Sequence, residues 1–423
     1  MKNEKISRRS FLKASAVASA LGVMAAAPAA HAAGADEAAA QIEEENCLLK
    51  KPKYIFLFIG DGMGTAQIQS ARFYKGTVDN NGAVTEADLS FTSFPHVGSV
   101  TTYDSTSFCP DSASTATSIA TGHKTESGVI NMCPWTRDVP YETIAEKLHA
   151  QKGYKVGVVS TVNIDHATPA AFYAHQNSRR NYYEIGVELA NSGFEYFAGG
   201  EFQKVNGSGN VPNNHEVAAQ AGYNVVTTQA AAAALTAGAD KTLILVTADH
   251  ETGGMSIGYK TTNYDTFLTN LAHQKMSYAK FDSTYVEGYM ANKTPFETAM
   301  QDVKNIFGLT LPTDPDAANA GKLLLTDYEV QNLRTAYDRT LEVGSASQKD
   351  MTQQDYELYG TYIPFSMAIC HTINHKSGMD HTTYAHTGAM VNLYAMGVGA
   401  EKFGGVYDNT EVFHKLAELT SVQ

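Results

Sequence analysis

The chain contains few of the residues that build disulfide-rich proteins. Only four of its 423 residues are cysteines and only one is a tryptophan. Four cysteines are too few for a disulfide scaffold in a chain of this length, and their spacing does not show which of them would pair. They are Cys47, Cys109, Cys133 and Cys370.

Positive charge is also scarce. The chain has 31 basic and 44 acidic residues, which gives a net charge of −13. Without residues 1–32, which carry five basic residues and one acidic residue, the net charge becomes −17. No Lys/Arg cluster lies beyond that segment, which argues against nucleic acid or an anionic membrane surface as a partner.

The first residues have the pattern of an export signal. Residues Ser7–Lys13 have the sequence SRRSFLK, and a short apolar stretch and the small-residue pattern Ala30-His31-Ala32 follow. The apolar stretch is too short and too rich in alanine to span a membrane. We predict a twin-arginine signal peptide over residues 1–32 and a flexible leader over residues 33–50. The mature protein is then expected to be periplasmic or extracellular.

Four apolar runs have the length of buried strands, and helical patterns alternate with them. The runs are Tyr54–Ile59, Val156–Val159, Leu243–Val246 and Val391–Met396, and the helical patterns include Tyr141–Gln151 and Tyr182–Ala190. This alternation predicts an α/β fold of three layers, α/β/α, with a mostly parallel central sheet. In such a fold, ligands collect at the carboxyl ends of the strands.

Residues 255–380 have a different pattern. They hold amphipathic helical stretches at Tyr264–Gln274, Pro295–Phe307 and Asp327–Leu341, and few strand signals. We predict that they form a helical cap insertion within a single domain that spans residues 51–423.

Residues of metal-ligand type lie next to three of the apolar runs. Asp61 lies in the glycine-rich turn after the first run, Asp249 and His250 follow the third, and His386 comes just before the last. Each of these residues alone is commonly structural, but three such positions in one sheet indicate a site. Carboxylate and imidazole ligands together suit zinc.

Ser112 begins a run of small residues that predicts a helix with Ser112 at its N-terminus. Capping that helix is the ordinary role of such a serine. A nucleophilic role is the alternative, because a helix N-terminus and a zinc ion both stabilise an alkoxide without a histidine base. No Gly-x-Ser-x-Gly elbow is present, so a hydrolase triad is not favoured. Arg179 has the planar fork that matches two phosphate oxygens, although a single arginine is commonly a surface charge.

Five segments together resemble the alkaline phosphatase family, and they occur in the family's order. They are Phe58–Gly64, Asp111–Ser114, His166–Ala170, Val246–His250 and His386–Gly388. The resemblance extends from about residue 53 to the C-terminus. It implies an enzyme that hydrolyses phosphate monoesters through a phosphoserine, with two Zn²⁺ ions and one Mg²⁺ ion. It also implies a homodimer, for which the sequence locates no interface.

The resemblance further implies roles for the matching residues. Ser112 would be the nucleophile that takes the phosphoryl group, and Arg179 would bind two of the oxygens of that group. Asp61, Asp249 and His250 would bind the zinc ion that activates Ser112.

The remaining matches concern the other two metal ions. His386 would bind the second zinc, which activates the leaving group and then the hydrolytic water. Asp61 would also reach the magnesium ion, with Thr168 as a further magnesium ligand. His166 stands where some members of the family have aspartate and others histidine, so the identity of the third metal is left open.

One part of the family's pattern is missing. Family members also carry a Glu, an Asp five residues later and a His four residues after that. The Glu binds magnesium, and the Asp and His complete the second zinc site. No such run occurs here, and Tyr223–Ala248 contains only one carboxylate, Asp240, and no histidine. The alanine-rich stretch Gln229–Ala239 leads directly into the strand before Asp249, so an internal deletion is the plainest explanation.

The missing ligands leave several functions open. A catalytic zinc normally takes three protein ligands, and His386 alone does not supply them. Replacements near it in the sequence are Asp380, His381, His375 and His371. The first hypothesis is a phosphomonoesterase, and the alternative is an impaired or non-catalytic relative that binds phosphate or metal. A diesterase or sulfatase of the same superfamily is a further alternative, against which Arg179 argues because it suits a dianionic monoester.

Overall fold

The computed structural model describes residues 51–225, 241–343 and 351–423. The predicted signal peptide, the leader and the alanine-rich stretch Gln229–Ala239 lie outside these ranges. The strands are β1 (Tyr54–Gly60), β2 (His96–Thr101), β3 (Gly157–Asn163), β4 (Tyr196–Gly200), β5 (Thr242–Ala248), β6 (Glu251–Thr252), β7 (Ser256–Ile257), β8 (Met379–Asp380), β9 (His386–Thr387), β10 (Val391–Gly397) and β11 (Gly405–Asp408).

The α-helices are numbered in chain order. They are α1 (Thr65–Asp79), α2 (Ser112–Thr121), α3 (Ile144–Lys152), α4 (Ala167–Ala170), α5 (Tyr182–Asn191), α6 (Asn214–Gln220), α7 (Tyr278–Phe281), α8 (Glu287–Asn292), α9 (Phe296–Phe307), α10 (Asp327–Val343), α11 (Gln353–Tyr359), α12 (Pro364–Ser377) and α13 (Thr410–Thr420). Of these, α7 to α12 all lie between β7 and β8. No helix among the described residues is both long and apolar enough to cross a membrane. Cys109, Cys133 and Cys370 are free thiols.

Five strands form the central sheet, in the order β1, β5, β10, β2, β11. β1 is parallel to β5, and β2 is parallel to β11. β10 is antiparallel to both of its neighbours, so four of the five strands run in one direction and β10 runs against them. The predicted α/β fold with a mostly parallel sheet is confirmed, and the sheet is mixed through this one strand.

Helices cover both faces of the sheet because the side chains of a strand alternate between faces. Leu243 and Leu245 of β5 pack in a core with residues of α2, α3 and α13. Val246 and Ile244 point to the other face, where Ile68 of α1 packs against them. The result is the expected order of three layers, with β5 buried between the two layers of helices.

The direction of β10 decides what lies at the edge of the sheet. β1 ends at Gly60 and β5 ends at Ala248, opposite one another in register. Because β10 runs the other way, its first residues lie at the same edge, with Tyr394 opposite Val246. The segment that precedes β10 therefore meets the segments that follow β1 and β5.

The run at Val156–Val159 does not join the central sheet as expected. Residues 157–159 belong to β3, which among the described strands pairs only with β4, in parallel, in a separate sheet of two strands. Val159 is 70% exposed. An apolar run predicts a strand, but it does not specify the neighbour with which that strand pairs.

The region 255–380 is mainly helical and has a core of its own. Its core includes Phe281, Met300, Tyr337 and Phe365, which are contributed by different helices. Two of the three predicted helical stretches correspond to α9 and α10. The third, Tyr264–Gln274, contains instead a short 3₁₀ helix, Leu268–His273.

Candidate functional site

The turn after β1 and the segment after β5 come together at the edge of the sheet. Asp61, Asp249 and His250 present ligand atoms that all lie within 4.8 Å of one another. Gly62 makes this approach possible, because it has a φ of +70° and a Cβ there would lie 2.0 Å from Oγ1 of Thr252. Its N–H donates to Oδ1 of Asp249 at 3.0 Å.

Ser112 is the first residue of α2 and faces this group. Its Oγ lies 3.0 Å from Nε2 of His250 and 3.4 Å from Oδ2 of Asp61. The side chain of Asp111 caps the helix by accepting from the N–H of Ser114 at 3.0 Å. Ser112 therefore does not have the N-cap role, and its hydroxyl lies at the positive end of the helix, where negative charge is stabilised.

The orientation of His250 is fixed by a backbone contact. Its Nδ1 lies 3.0 Å from the carbonyl oxygen of Glu251. Because a carbonyl only accepts hydrogen bonds, Nδ1 carries the proton and Nε2 presents a lone pair toward Ser112 and the carboxylates. Burial lowers the pKa of His250, which also favours the neutral form.

Asp249 is fully buried, and half of its carboxylate lacks a partner. Oδ1 accepts from the N–H groups of Gly62 and His250, both at 3.0 Å. Oδ2 has no hydrogen-bond partner. Burial, together with the charge of Asp61, raises the pKa of Asp249 to about 7. A buried, unpartnered carboxylate oxygen beside a second carboxylate and an imidazole is the environment that a bound cation satisfies, so these residues fit a zinc ion.

Arg179 lies beside Ser112 and is held from two sides. Its Nη1 donates to Oδ2 of Asp111 at 2.9 Å, and its Nη2 lies 3.1 Å from Nε2 of His166. Burial opposes ionisation of Asp111. Hydrogen bonds from the backbone of Ser114 and Gly128, together with Arg179, outweigh that effect and lower its pKa. Asp111 stands directly before Ser112, but its sequence context alone does not distinguish a residue that orients Arg179 from an ordinary helix cap.

Thr168 and His166 lie close together in the sequence but face different partners. Oγ1 of Thr168 donates to Oδ2 of Asp61 at 3.3 Å, so the two expected magnesium ligands lie together, without the Glu that the family adds to them. His166 faces Arg179 instead, and its Nδ1 is buried without a partner. Burial and the charge of Arg179 lower the pKa of His166. The structure does not group His166 with Asp61 as a metal ligand.

His386 lies at the same edge of the sheet, as the direction of β10 requires. Its ring stacks on that of His250, with ring centroids 3.5 Å apart. Its Nδ1 lies 2.7 Å from the carbonyl oxygen of Pro110, which leaves Nε2 as the free nitrogen. In the described part of the chain, Asp61, Asp249 and His250 are the only group of three His, Cys, Asp or Glu residues that could hold a metal. Among the described residues, His386 is therefore not part of a group of three ligands, and its role in a second zinc site stays a prediction.

The suggested replacement ligands make contacts of their own. His375 pairs with Asp380 at 3.0 Å and stacks on Tyr259. His371 lies 3.3 Å from the hydroxyl of Tyr384, and the ring of His381 lies against Gly253. None of them forms a group of three ligands with His386.

Comparison with known proteins extends this picture. The model of the family "Alkaline phosphatase" matches residues 52–196 and 200–422. Alkaline phosphatase 4 of Drosophila melanogaster is 43% identical over 143 residues, which cover 32% of this chain and 24% of that protein. The tissue-nonspecific alkaline phosphatase of Gallus gallus is 35% identical over 141 residues, which cover 32% and 27%. The chain thus matches only about a quarter of the length of these relatives.

The similarity to bacterial proteins extends over more of the chain. Alkaline phosphatase 4 of Bacillus subtilis is 25% identical over 424 aligned positions, which cover 84% of this chain and 86% of that protein. Because 84% of 423 residues is about 355, about 70 of those positions have no residue from this chain. An internal deletion, as the missing Glu, Asp and His predict, gives gaps of this kind.

Solved structures show the same fold. The cold-active alkaline phosphatase of Shewanella sp. has a TM-score of 0.65 at 21% identity, and the match covers 87% of this chain and 99% of that one. The alkaline phosphatase of Thermus thermophilus also has a TM-score of 0.65, at 16% identity, covering 88% and 92%. The family model covers most of the chain and the fold agrees with it, and the chain therefore belongs to the alkaline phosphatase family.

Proposed function

We propose that this chain hydrolyses phosphate monoesters, with Ser112 attacking phosphorus to form a phosphoserine. The observation that carries the proposal is the position of its Oγ, 3.0 Å from Nε2 of His250, at the N-terminus of α2 and beside a group of three metal-ligand residues. Membership of the alkaline phosphatase family supports the same reaction class.

Asp61, Asp249 and His250 would hold Zn²⁺, and Asp61 with Thr168 would hold Mg²⁺. Bound there, Zn²⁺ supplies a Lewis acid that lowers the pKa of the serine hydroxyl. The chain's own contribution is to bring the hydroxyl and the carboxylates together and to exclude water, since Ser112 is only 4% exposed. The hydroxyl donates toward Oδ2 of Asp61 at 3.4 Å, which gives its proton a first acceptor.

Arg179 would bind two oxygens of the phosphoryl group. Its guanidinium is already oriented by Asp111 and His166, so little conformational entropy is lost when the ester binds. A planar guanidinium with two parallel donors matches a dianionic monoester better than a diester, which has one negative charge. Comparison of rates on an aryl phosphate, a bis-aryl phosphate and an aryl sulfate measures this preference.

A second candidate function is that of an impaired relative that binds phosphate and metal without turnover. The position of His386 favours it, because in the described ranges His386 belongs to no group of three His, Cys, Asp or Glu residues that could hold a metal. The step most affected would be departure of the leaving group and attack of water on the phosphoserine. Such a chain would accumulate phosphoserine or would bind inorganic phosphate without hydrolysing esters.

The deciding experiment is hydrolysis of a chromogenic aryl phosphate with Zn²⁺ and Mg²⁺ added, compared with the Ser112→Ala variant. We expect hydrolysis that depends on Ser112, together with acid-stable labelling of that residue by phosphate. Labelling without turnover would support the impaired relative. Equal rates for the wild-type chain and Ser112→Ala would refute the proposed mechanism.

A further inference from the structure

A buried carboxylate behind the candidate metal site has no part in the chemistry described above. Glu251 follows His250 and is only 3% exposed. We propose that Glu251 is a positioning residue that holds the segments carrying Asp61, His250 and His386 in one arrangement and thereby sets the affinity of the site for metal. This inference rests on the proposed metal-dependent function.

The first of these segments is the turn that carries Asp61. The side chain of Gln67, in the first turn of α1, donates from Nε2 to Oε1 of Glu251 at 2.8 Å and to the carbonyl of Thr252 at 2.6 Å. Gly64 packs so closely that a Cβ on it would lie 2.5 Å from Cγ of Glu251. The turn that leads from Asp61 to α1 is therefore fixed against Glu251 at the point where it enters α1.

The second segment is the one that carries His250. The N–H groups of Gly254 and Met255 donate to Oε2 and Oε1 of Glu251 at 2.9 and 3.1 Å, which closes the turn after β6. The backbone carbonyl of Glu251 also accepts from Nδ1 of His250. The side chain of Glu251 thus fixes the path of the chain after His250. Its backbone carbonyl fixes which nitrogen His250 presents to the site.

The third segment is β9, which carries His386. Glu251 pairs with Thr387 across the antiparallel ladder of β6 and β9, and Oγ1 of Thr387 donates to Oε2 of Glu251. Neighbouring side chains in a strand point to opposite faces. Because Thr387 points to Glu251, His386 points to the other face, where its ring stacks on His250.

The chemistry of these contacts requires a carboxylate. Oε1 accepts from Gln67 and Met255, and Oε2 accepts from Gly254 and Thr387. A glutamine at this position has one acceptor oxygen and one NH₂ group. Whichever way its amide is turned, the NH₂ group faces two donors, so the Glu251→Gln variant loses two of the four contacts without a change in size.

The test is the affinity of the full chain, stripped of metal, for Zn²⁺, measured by competition with a chromogenic chelator. The thermal unfolding of the same metal-free samples is recorded alongside. We expect Glu251→Gln to weaken Zn²⁺ binding about 10- to 100-fold, as is typical when a residue that orients metal ligands is lost. Thr387→Val removes one donor and is expected to weaken binding in the same direction by less.

Asp355→Asn is the matched control. Asp355 accepts hydrogen bonds from Thr352 and forms an ion pair with Arg339, and all three residues lie within the helical insertion. This variant is expected to lower the unfolding temperature and to leave the affinity for Zn²⁺ unchanged.

Two results would overturn the inference, and they are distinguishable. If Glu251→Gln and Thr387→Val bind Zn²⁺ as tightly as the wild-type chain does, Glu251 is a structural cap and the inference is wrong while the proposed function stands. If the wild-type chain itself binds no Zn²⁺, the metal-dependent function fails, and the inference fails with it.

Discussion

Single residues of the site are held in place mainly by ion pairs and by directed hydrogen bonds. Arg179 is bound by Asp111 and His166, and its backbone N–H donates to the carbonyl of Gly128 at 2.7 Å. Both ends of the side chain are thus fixed before any ligand arrives. Its planar fork is the feature that a lysine at the same position lacks.

The Arg179→Lys variant tests that feature. It keeps the positive charge but loses the paired donors, each of which contributes about 1.5–3 kcal/mol as a charged hydrogen bond. We expect kcat/KM to fall roughly 10- to 100-fold and inhibition by inorganic phosphate to weaken in parallel. Steady-state kinetics with phosphate titration measure both. The control is Arg180→Lys at the neighbouring, exposed position, and an equal loss in the two variants would contradict the prediction.

The sequence motifs predicted which residues meet at the site but not how each one is turned. Asp61, Ser112, Asp249, His250 and His386 are together because each lies at or next to the end of a strand or helix, and those ends meet at one edge of the sheet. The orientation of His166 toward Arg179 and the role of Glu251 depend on side-chain packing. That packing cannot be predicted from a single sequence.

At the scale of elements, the segment just before Arg179 is fixed by a partly buried cluster of one histidine and two glutamates. His175 lies 3.5 Å from both Glu146 of α3 and Glu188 of α5. Gln176 pairs with Ile130 through two backbone hydrogen bonds of 2.9 Å. Burial opposes protonation of His175, but the two glutamates outweigh it and raise its pKa to about 10.

This cluster predicts a pH dependence of stability. Because the folded pKa of His175 is raised above the ordinary 6.5, its contribution is fully present below pH 6.5 and is lost as the pH rises through about 10. The wild-type chain is expected to unfold at a higher temperature than His175→Gln at pH 6.5, and the difference should shrink toward pH 10. Thermal unfolding at several pH values checks this, and a difference that does not vary with pH would contradict it.

The pairing of strands was predictable only in part. The runs at Tyr54 and Leu243 predicted β1 and β5, which are neighbours, but nothing in the run at Val391 shows that β10 is antiparallel. Within residues 51–225, 241–343 and 351–423, no strand pairs with the second edge of β1 or of β3. Local pattern determines that a strand forms, whereas its partner depends on contacts far away in the sequence.

At the scale of the whole molecule, we propose that the chain is exported folded through the twin-arginine pathway. Replacement of both Arg8 and Arg9 by lysine keeps the charge but removes the recognised pair. We expect this variant to remain in the cytoplasm with its first 32 residues attached. Cell fractionation followed by mass measurement tests this, and export equal to that of the wild-type chain would contradict it.

The reversed strand β10 also determines when the molecule can be completed during its synthesis. β10 fills the gap between β5 and β2, yet it is the second-to-last strand to be made. Until β10 has been made, no described strand lies between β5 and β2, and the described strands form no continuous five-stranded sheet. The five-stranded sheet can therefore be completed only after residue 397 has been made, because the contacts that close it join residues about 150 to 300 positions apart. The three candidate metal ligands, by contrast, follow β1 and β5, which pair with each other directly, so that part of the site does not depend on β10.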